Sequence, residues 1–207
     1  FYEDLHLIFY FLIIISIFLL FFSFNSDFLK NLLSISSSIS NIGFSLDYEQ
    51  PNLNIIYLIL VIIGGSFFST SSGLRFIKIY SLFKYSINQI LSFSRPKNVF
   101  MNKLLFTKIN FDFKEINKYF LTIIIFIISL FSLTILLSFN LIDFESAFKL
   151  SILTIMNTVN STSYGLSDFD FYNLNYFTKY CLILFMIIGR IELLTILIII
   201  KKFLFKG

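Results

Sequence analysis

The chain has 207 residues, 57% of them apolar and only 14% charged, with 16 Lys and Arg against 12 Asp and Glu for a formal net charge of +4. A soluble domain keeps about a quarter of its residues charged to cover its surface, so this composition excludes one and assigns most of the exterior to lipid. The basic excess is not gathered into a soluble patch that would suit nucleic acid, and the single Cys181, inside an apolar stretch, leaves no disulfide or thiolate metal site.

At about 20 apolar residues per membrane helix, this length allows roughly four spans. The first, Leu5 to Phe24, contains no Asp, Glu, Lys or Arg. Glu3 and Asp4 precede it where a signal peptide would carry a basic leader, so it is read as a retained span. His6, the one histidine, is read as structural. A second span begins at Ile55 to Ile63 and is interrupted by Gly64-Gly65; a third runs from Tyr119 to Phe139 and a fourth from Tyr180 to Ile200. The connections Asn25 to Asn54 and Asn140 to Lys179 each hold a short, moderately apolar helical piece and then a polar turn with Gly and an aromatic. Neither is apolar enough to span.

Orientation follows from the basic residues of the connections. Arg75, Lys78, Lys84, Arg95, Lys97, Lys103, Lys108, Lys114 and Lys118 lie between the second and third spans, and Lys201, Lys202 and Lys206 close the chain, so both segments are placed in the cytoplasm. The other two connections, richer in Asp and Glu, face outward. Both polar hairpins then open to the same side.

The two halves repeat. Phe24-Asn25 recurs as Phe139-Asn140, Asp27-Phe28 as Asp143-Phe144, Asn52-Leu53-Asn54 as Asn173-Leu174-Asn175, and Ile62-Ile63-Gly64-Gly65 as Ile187-Ile188-Gly189-Arg190, at offsets that drift from 115 to 125. The predicted fold class is therefore all-α, with two parallel units of span, re-entrant pore helix and span. The first unit covers 1–86, a basic cytoplasmic connection 87–116, and the second unit 117–207. Non-helical backbone at membrane depth is tolerated only inside protein or beside a water-filled cavity. A polar turn after a short re-entrant helix is the construction of a pore lining, whose carbonyls can replace the hydration shell of a cation; the alternative is a plain outer loop, which the duplication disfavours. The re-entrant helices are expected at Leu29 to Ser40 and Ser146 to Thr158. Their turns are Ser40, Asn41, Ile42, Gly43 and Phe44 in the first unit and Asn160, Ser161, Thr162, Ser163, Tyr164 and Gly165 in the second.

The stretch Ile62-Ile63-Gly64-Gly65-Ser66-Phe67-Phe68-Ser69-Thr70-Ser71-Ser72-Gly73-Leu74-Arg75-Phe76-Ile77-Lys78, with Arg95-Pro96-Lys97-Asn98-Val99-Phe100 after it, resembles the broken second helix and cytoplasmic connection of the third repeat in TrkH-type potassium uptake proteins. The closing Met186-Ile187-Ile188-Gly189-Arg190-Ile191-Glu192-Leu193-Leu194-Thr195 resembles the end of their fourth repeat. Members of this Trk, Ktr and HKT superfamily fold as four such repeats around one pore. The resemblance implies that this chain, which opens on Phe1 rather than Met, is the C-terminal half of a longer protein in a bacterial inner membrane, with half of a fourfold pseudosymmetric pore. It implies potassium as cargo, meeting the backbone around Asn41, Ile42, Ser161 and Thr162, with no cofactor and no enzymatic activity. It also implies a homodimer in membrane lipid and a cytosolic nucleotide-binding regulatory subunit of the TrkA/KtrA kind. Gly43 matches the glycine that the family most often places in its filter, whereas Ser163 stands at that place in the second unit. Serine there occurs in relatives that admit sodium, which leaves potassium against sodium open.

Two features carry gating. Gly64 to Gly73 has three glycines and five Ser or Thr in ten residues, and each Gly costs a helix interior roughly 0.8–1 kcal/mol against Ala. The segment is expected to unwind, and the resemblance implies an intramembrane gating loop of Gly64, Gly65, Ser66, Ser69, Thr70, Ser71, Ser72 and Gly73. Arg190 lies in the fourth span with Glu192 as its only charged neighbour there. A central arginine costs about 2.5–3.5 kcal/mol on insertion scales, and positions i and i+2 do not face each other, so Arg190 is expected to face the pore or a polar partner other than Glu192. The resemblance implies that it holds the gate. The alternative from another class is a structural membrane subunit of a respiratory or assembly complex, which needs neither a filter nor the break at Gly64 to Gly73. An intramembrane enzyme is disfavoured, since no Ser/His or paired-carboxylate set lies at membrane depth.

Overall fold

A computed structural model describes residues 28–44, 54–63, 74, 76–94, 113–140, 142–160, 162–166, 169–190 and 202. The described residues form six α-helices, α1 (Phe28–Ile39), α2 (Asn54–Ile63), α3 (Phe76–Ser94), α4 (Phe113–Ser138), α5 (Phe144–Met156) and α6 (Tyr176–Arg190), with a 3-10 turn at Thr162–Tyr164 between the last two. No strand occurs among them. The expected first span, Leu5 to Phe24, and the segment Gly64 to Gly73 lie outside the described residues, as does the fourth span beyond Arg190.

Helix α4 is the long apolar element. Its stretch Ile116–Ser138 covers 23 residues at a mean hydropathy of 2.9, about 35 Å at 1.5 Å per residue, enough for the roughly 30 Å hydrocarbon core. One stripe, Phe126, Leu130, Leu133 and Leu137, is buried at spacings of four, three and four, while Ile124, Ile127, Ile128, Phe131 and Ile135 are exposed on other faces. That exposed surface suits lipid, the solvent in which an apolar outer face costs nothing.

Helix α5 is enclosed differently. Every residue from Leu150 to Met156 is buried, the pattern of a helix packed on all sides, and its neighbours are α4, α6 and α2. At 13 residues it is about 20 Å long, too short to span. Small polar residues allow the close approach to α4: the Thr134 hydroxyl lies 2.8 Å from Leu130 O and 3.1 Å from Ser151 Oγ, and Ser151 in turn donates to Ala147 O at 2.7 Å. Phe131 of α4 packs on Phe148 of α5.

Helices α1 and α2 form the corresponding hairpin of the first unit, and α2 carries Tyr57, Leu58 and Val61 inward against both α5 and the 3-10 turn. The two units are joined there and through α3 against α4. Helix α3 continues past residue 86 to Ser94, so helical structure extends into the basic connection.

Candidate ion-conducting site

The two short helices α1 and α5 end alike. At the end of α1 the hydroxyls of Ser36 and Ser38, and of Ser40 just beyond it, bond back to carbonyls one turn earlier, Leu33 O, Ser34 O and Ser36 O, at 2.8–2.9 Å. Such back-bonding competes with the helix, and the helix stops at Ile39. Asn41 then turns left-handed at φ 56°, with Asn41 N donating to Ser38 O at 3.3 Å and Ile42 N to Ser37 O at 3.1 Å. Helix α5 stops at Met156, Asn157 turns at φ 55°, and Asn157 N and Thr158 N donate to Thr154 O and Leu153 O at 3.2 and 2.9 Å. Both are Schellman endings with asparagine, whose short polar side chain tolerates the left-handed region, in place of the usual glycine.

Beyond these caps the two hairpins meet. Gly43, at φ 80°, is buried against the backbone of Val159: a Cβ on Gly43 would fall on the Val159 carbonyl oxygen and stand 2.8 Å from its nitrogen. Only glycine combines that conformation with that approach. Counted from the caps, Gly43 stands two residues past Asn41 and Val159 two past Asn157, so Val159 shares the structural position of Gly43. Ser163, which the family resemblance sets at the place of Gly43, lies four residues further along in a separate turn.

That turn belongs to the second hairpin. Asn160 Nδ2 donates to Leu166 O at 3.2 Å and closes it. Within it Ser163 and Tyr164 are buried, and Gly165 at φ 69° lets the chain pass against the Asn54 side chain at the start of α2. Lys149 Nζ lies on the same side and pairs with Glu145 Oε1 at 2.6 Å. The Lys149 hydrogen bond, with its charge, holds the exposed Glu145 carboxyl below the usual carboxylate range. Buried side-chain oxygens with no hydrogen-bond partner among the described residues include Ser37 Oγ in the last turn of α1 and Thr158 Oγ1 and Asn160 Oδ1 just after α5, and also Ser81 Oγ in α3 and Ser138 Oγ at the end of α4.

The remaining residues singled out from sequence fall as follows. Asn41 is buried, whereas Ser40, Ile42 and Phe44 are exposed, the last two at 60% and 57%. Thr162 lies in the 3-10 turn, and Ser161 falls outside the described residues. Gly64, Gly65, Ser66, Ser69, Thr70, Ser71, Ser72 and Gly73 are also outside them. Arg190 ends α6 and is exposed. Its neighbour Gly189 sits against the Ile155 carbonyl of α5, and Asn157 Nδ2 donates to Met186 O at 3.0 Å, so the cap of α5 is fastened to α6. Sequence reasoning passed over Asn157, Val159 and Ser38. The available signal was Asn41 and Asn157, each an asparagine directly after a Ser- or Thr-containing apolar helix.

A family model described as TrkH, cation transport protein, matches residues 22–206. No curated protein matches the chain. The match takes in both short helices, both hairpins and the long apolar helix between them: the chain belongs to the TrkH family of cation transport proteins.

Proposed function

We propose that the chain supplies two of the four units of a potassium uptake protein, and that the turns at 40–44 and 160–165 are two of the four sides of its filter. The observation that carries this reading is the approach of Gly43 to Val159, which joins two polar hairpins from separate units. Two hairpins that served only as outer loops would have no reason to share a left-handed glycine at one backbone contact. Potassium is the cargo, and it enters from the outer face, where the acidic connections lie. The gate is the segment Gly64 to Gly73 with Arg190 beside it. The protein works as a multi-pass homodimer in a bacterial inner membrane, with a cytosolic nucleotide-binding regulatory subunit on its basic face.

Rubidium uptake by potassium-transport-deficient cells carrying the full-length gene tests this. Saturable rubidium uptake that potassium competes away is expected. Uptake equal to that of the empty vector would reject the reading.

A further inference from the structure

The aromatic residues of the two hairpins behave differently. Phe44, directly after Gly43, is 57% exposed, whereas Tyr164, directly after Ser163, is 1% exposed. The phenol of Tyr164 reaches out of its own unit: its oxygen is 3.3 Å from Ser38 Oγ on α1, a residue 126 positions away in the chain and itself 1% exposed. Ser38 already donates its proton to Ser34 O at 2.8 Å. The Tyr164 O–H is therefore the donor and Ser38 Oγ the acceptor. A buried hydroxyl stripped of its partner is unfavourable, so the bond fixes where the phenol rests.

The two ends of this bond are both adjacent to the pore lining. Ser38 stands three residues before Asn41, and its carbonyl accepts the Asn41 amide that begins the first hairpin. Tyr164 is the last residue of the 3-10 turn of the second. The next residue, Gly165, abuts Asn54 of α2, so the turn is held by α1 on one side and α2 on the other. Both holds come from the first unit.

We propose that the Tyr164–Ser38 hydroxyl pair is a strut between units, which sets the spacing of the two hairpins and thereby the discrimination between potassium and sodium. Tyr164 and Ser38 are positioning residues in this account, acting through the backbone of the hairpins. The inference rests on the transport reading above. It implies that the serine at position 163 does not alone decide selectivity, because the strut holds the turn that carries it.

The test uses the full-length transporter with Tyr164→Phe, Ser38→Ala, the double variant and Ser38→Thr, at matched membrane levels. Tyr164→Phe and Ser38→Ala are each expected to lower the ratio of rubidium to sodium uptake about threefold, the factor matching an average side-chain hydrogen bond in a membrane protein. The double variant is expected to lose no more than either single, and Ser38→Thr, which keeps a hydroxyl, to retain the ratio. An unchanged ratio in both singles, or losses that multiply to about ninefold as for independent sites, would overturn the proposal. Melting temperatures of the same purified variants read the bond without transport. If the wild type takes up neither ion, the transport reading fails, and the melting temperatures then decide: non-additive losses keep the strut, additive ones reject it.

Discussion

Replacing Gly43 by alanine attacks the contact on which the pore assignment rests. Two costs arise together. A non-glycine residue at φ 80° pays roughly 1–2 kcal/mol for the left-handed conformation. The new Cβ would also stand 2.8 Å from Val159 N and 2.9 Å from Val159 C, well short of the about 3.5 Å at which carbon contacts become favourable. Neither neighbour is a flexible side chain that can swing away; both are backbone of the opposite hairpin, so the hairpins must part. If the conformational cost alone is expressed as distortion of the filter, discrimination falls about 5- to 30-fold. The assay is the ratio of rubidium to sodium uptake in cells carrying full-length Gly43→Ala, at matched membrane levels. Gly43→Asn separates the two costs, because asparagine accepts the left-handed region yet keeps the Cβ. It is expected to be nearly as damaging as alanine. Wild-type discrimination in both variants would refute the argument that hairpin contact sets the filter.

Arg190→Ala is expected to raise cation flux through the full-length protein, as loss of a positive barrier would; unchanged flux and gating would remove Arg190 from the gate. Gly189→Ala drives a Cβ onto the Ile155 carbonyl and to 3.2 Å from Asn157 Nδ2, so an overpacking cost of about 1–3 kcal/mol is expected, read as a lower melting temperature in detergent. An unchanged melting temperature would mean that α5 and α6 separate without cost. Lys149 lowers the pKa of Glu145 in the fold, so their pairing contributes above the unfolded carboxyl's pKa and is lost as pH falls through the lower folded value. Glu145→Gln is therefore expected to flatten the acid side of the melting-temperature profile, by a small amount because the Glu145 side chain is 79% exposed. A profile as steep as wild type would place the acid sensitivity elsewhere.

The parts of this fold that depend on local sequence were legible in advance. Short helices, expected at 29–40 and 146–158, occupy Phe28–Ile39 and Phe144–Met156. Polar, turn-forming residues end each apolar run, and the ends follow from that chemistry. The third span, expected from Tyr119, instead belongs to a helix that starts at Phe113, because hydropathy marks the apolar stretch while helical hydrogen bonding continues through Lys114, Glu115 and Lys118. Helix α3 was partly hidden for the same reason. Its Lys and Asn content marked a connection, although Phe83, Ile87 and Leu91 recur at helical spacing. The contacts between units left no trace in the pattern. The pairing of Gly43 with Val159 depends on where each helix cap falls, and sequence anchors that drift by ten residues pass over a match set by the caps. Nor can hydropathy tell an aromatic facing outward, Phe44, from one that seats its hydroxyl on another unit, Tyr164.

If the two hairpins line one ion path, a single bound cation touches both. Anomalous scattering from crystals of the full-length protein grown in rubidium or thallium locates it. A peak is expected within coordination distance of backbone oxygens from both turns, 40–44 and 160–165. A fully occupied ion site elsewhere in the protein, with no peak between these turns, would contradict a shared path.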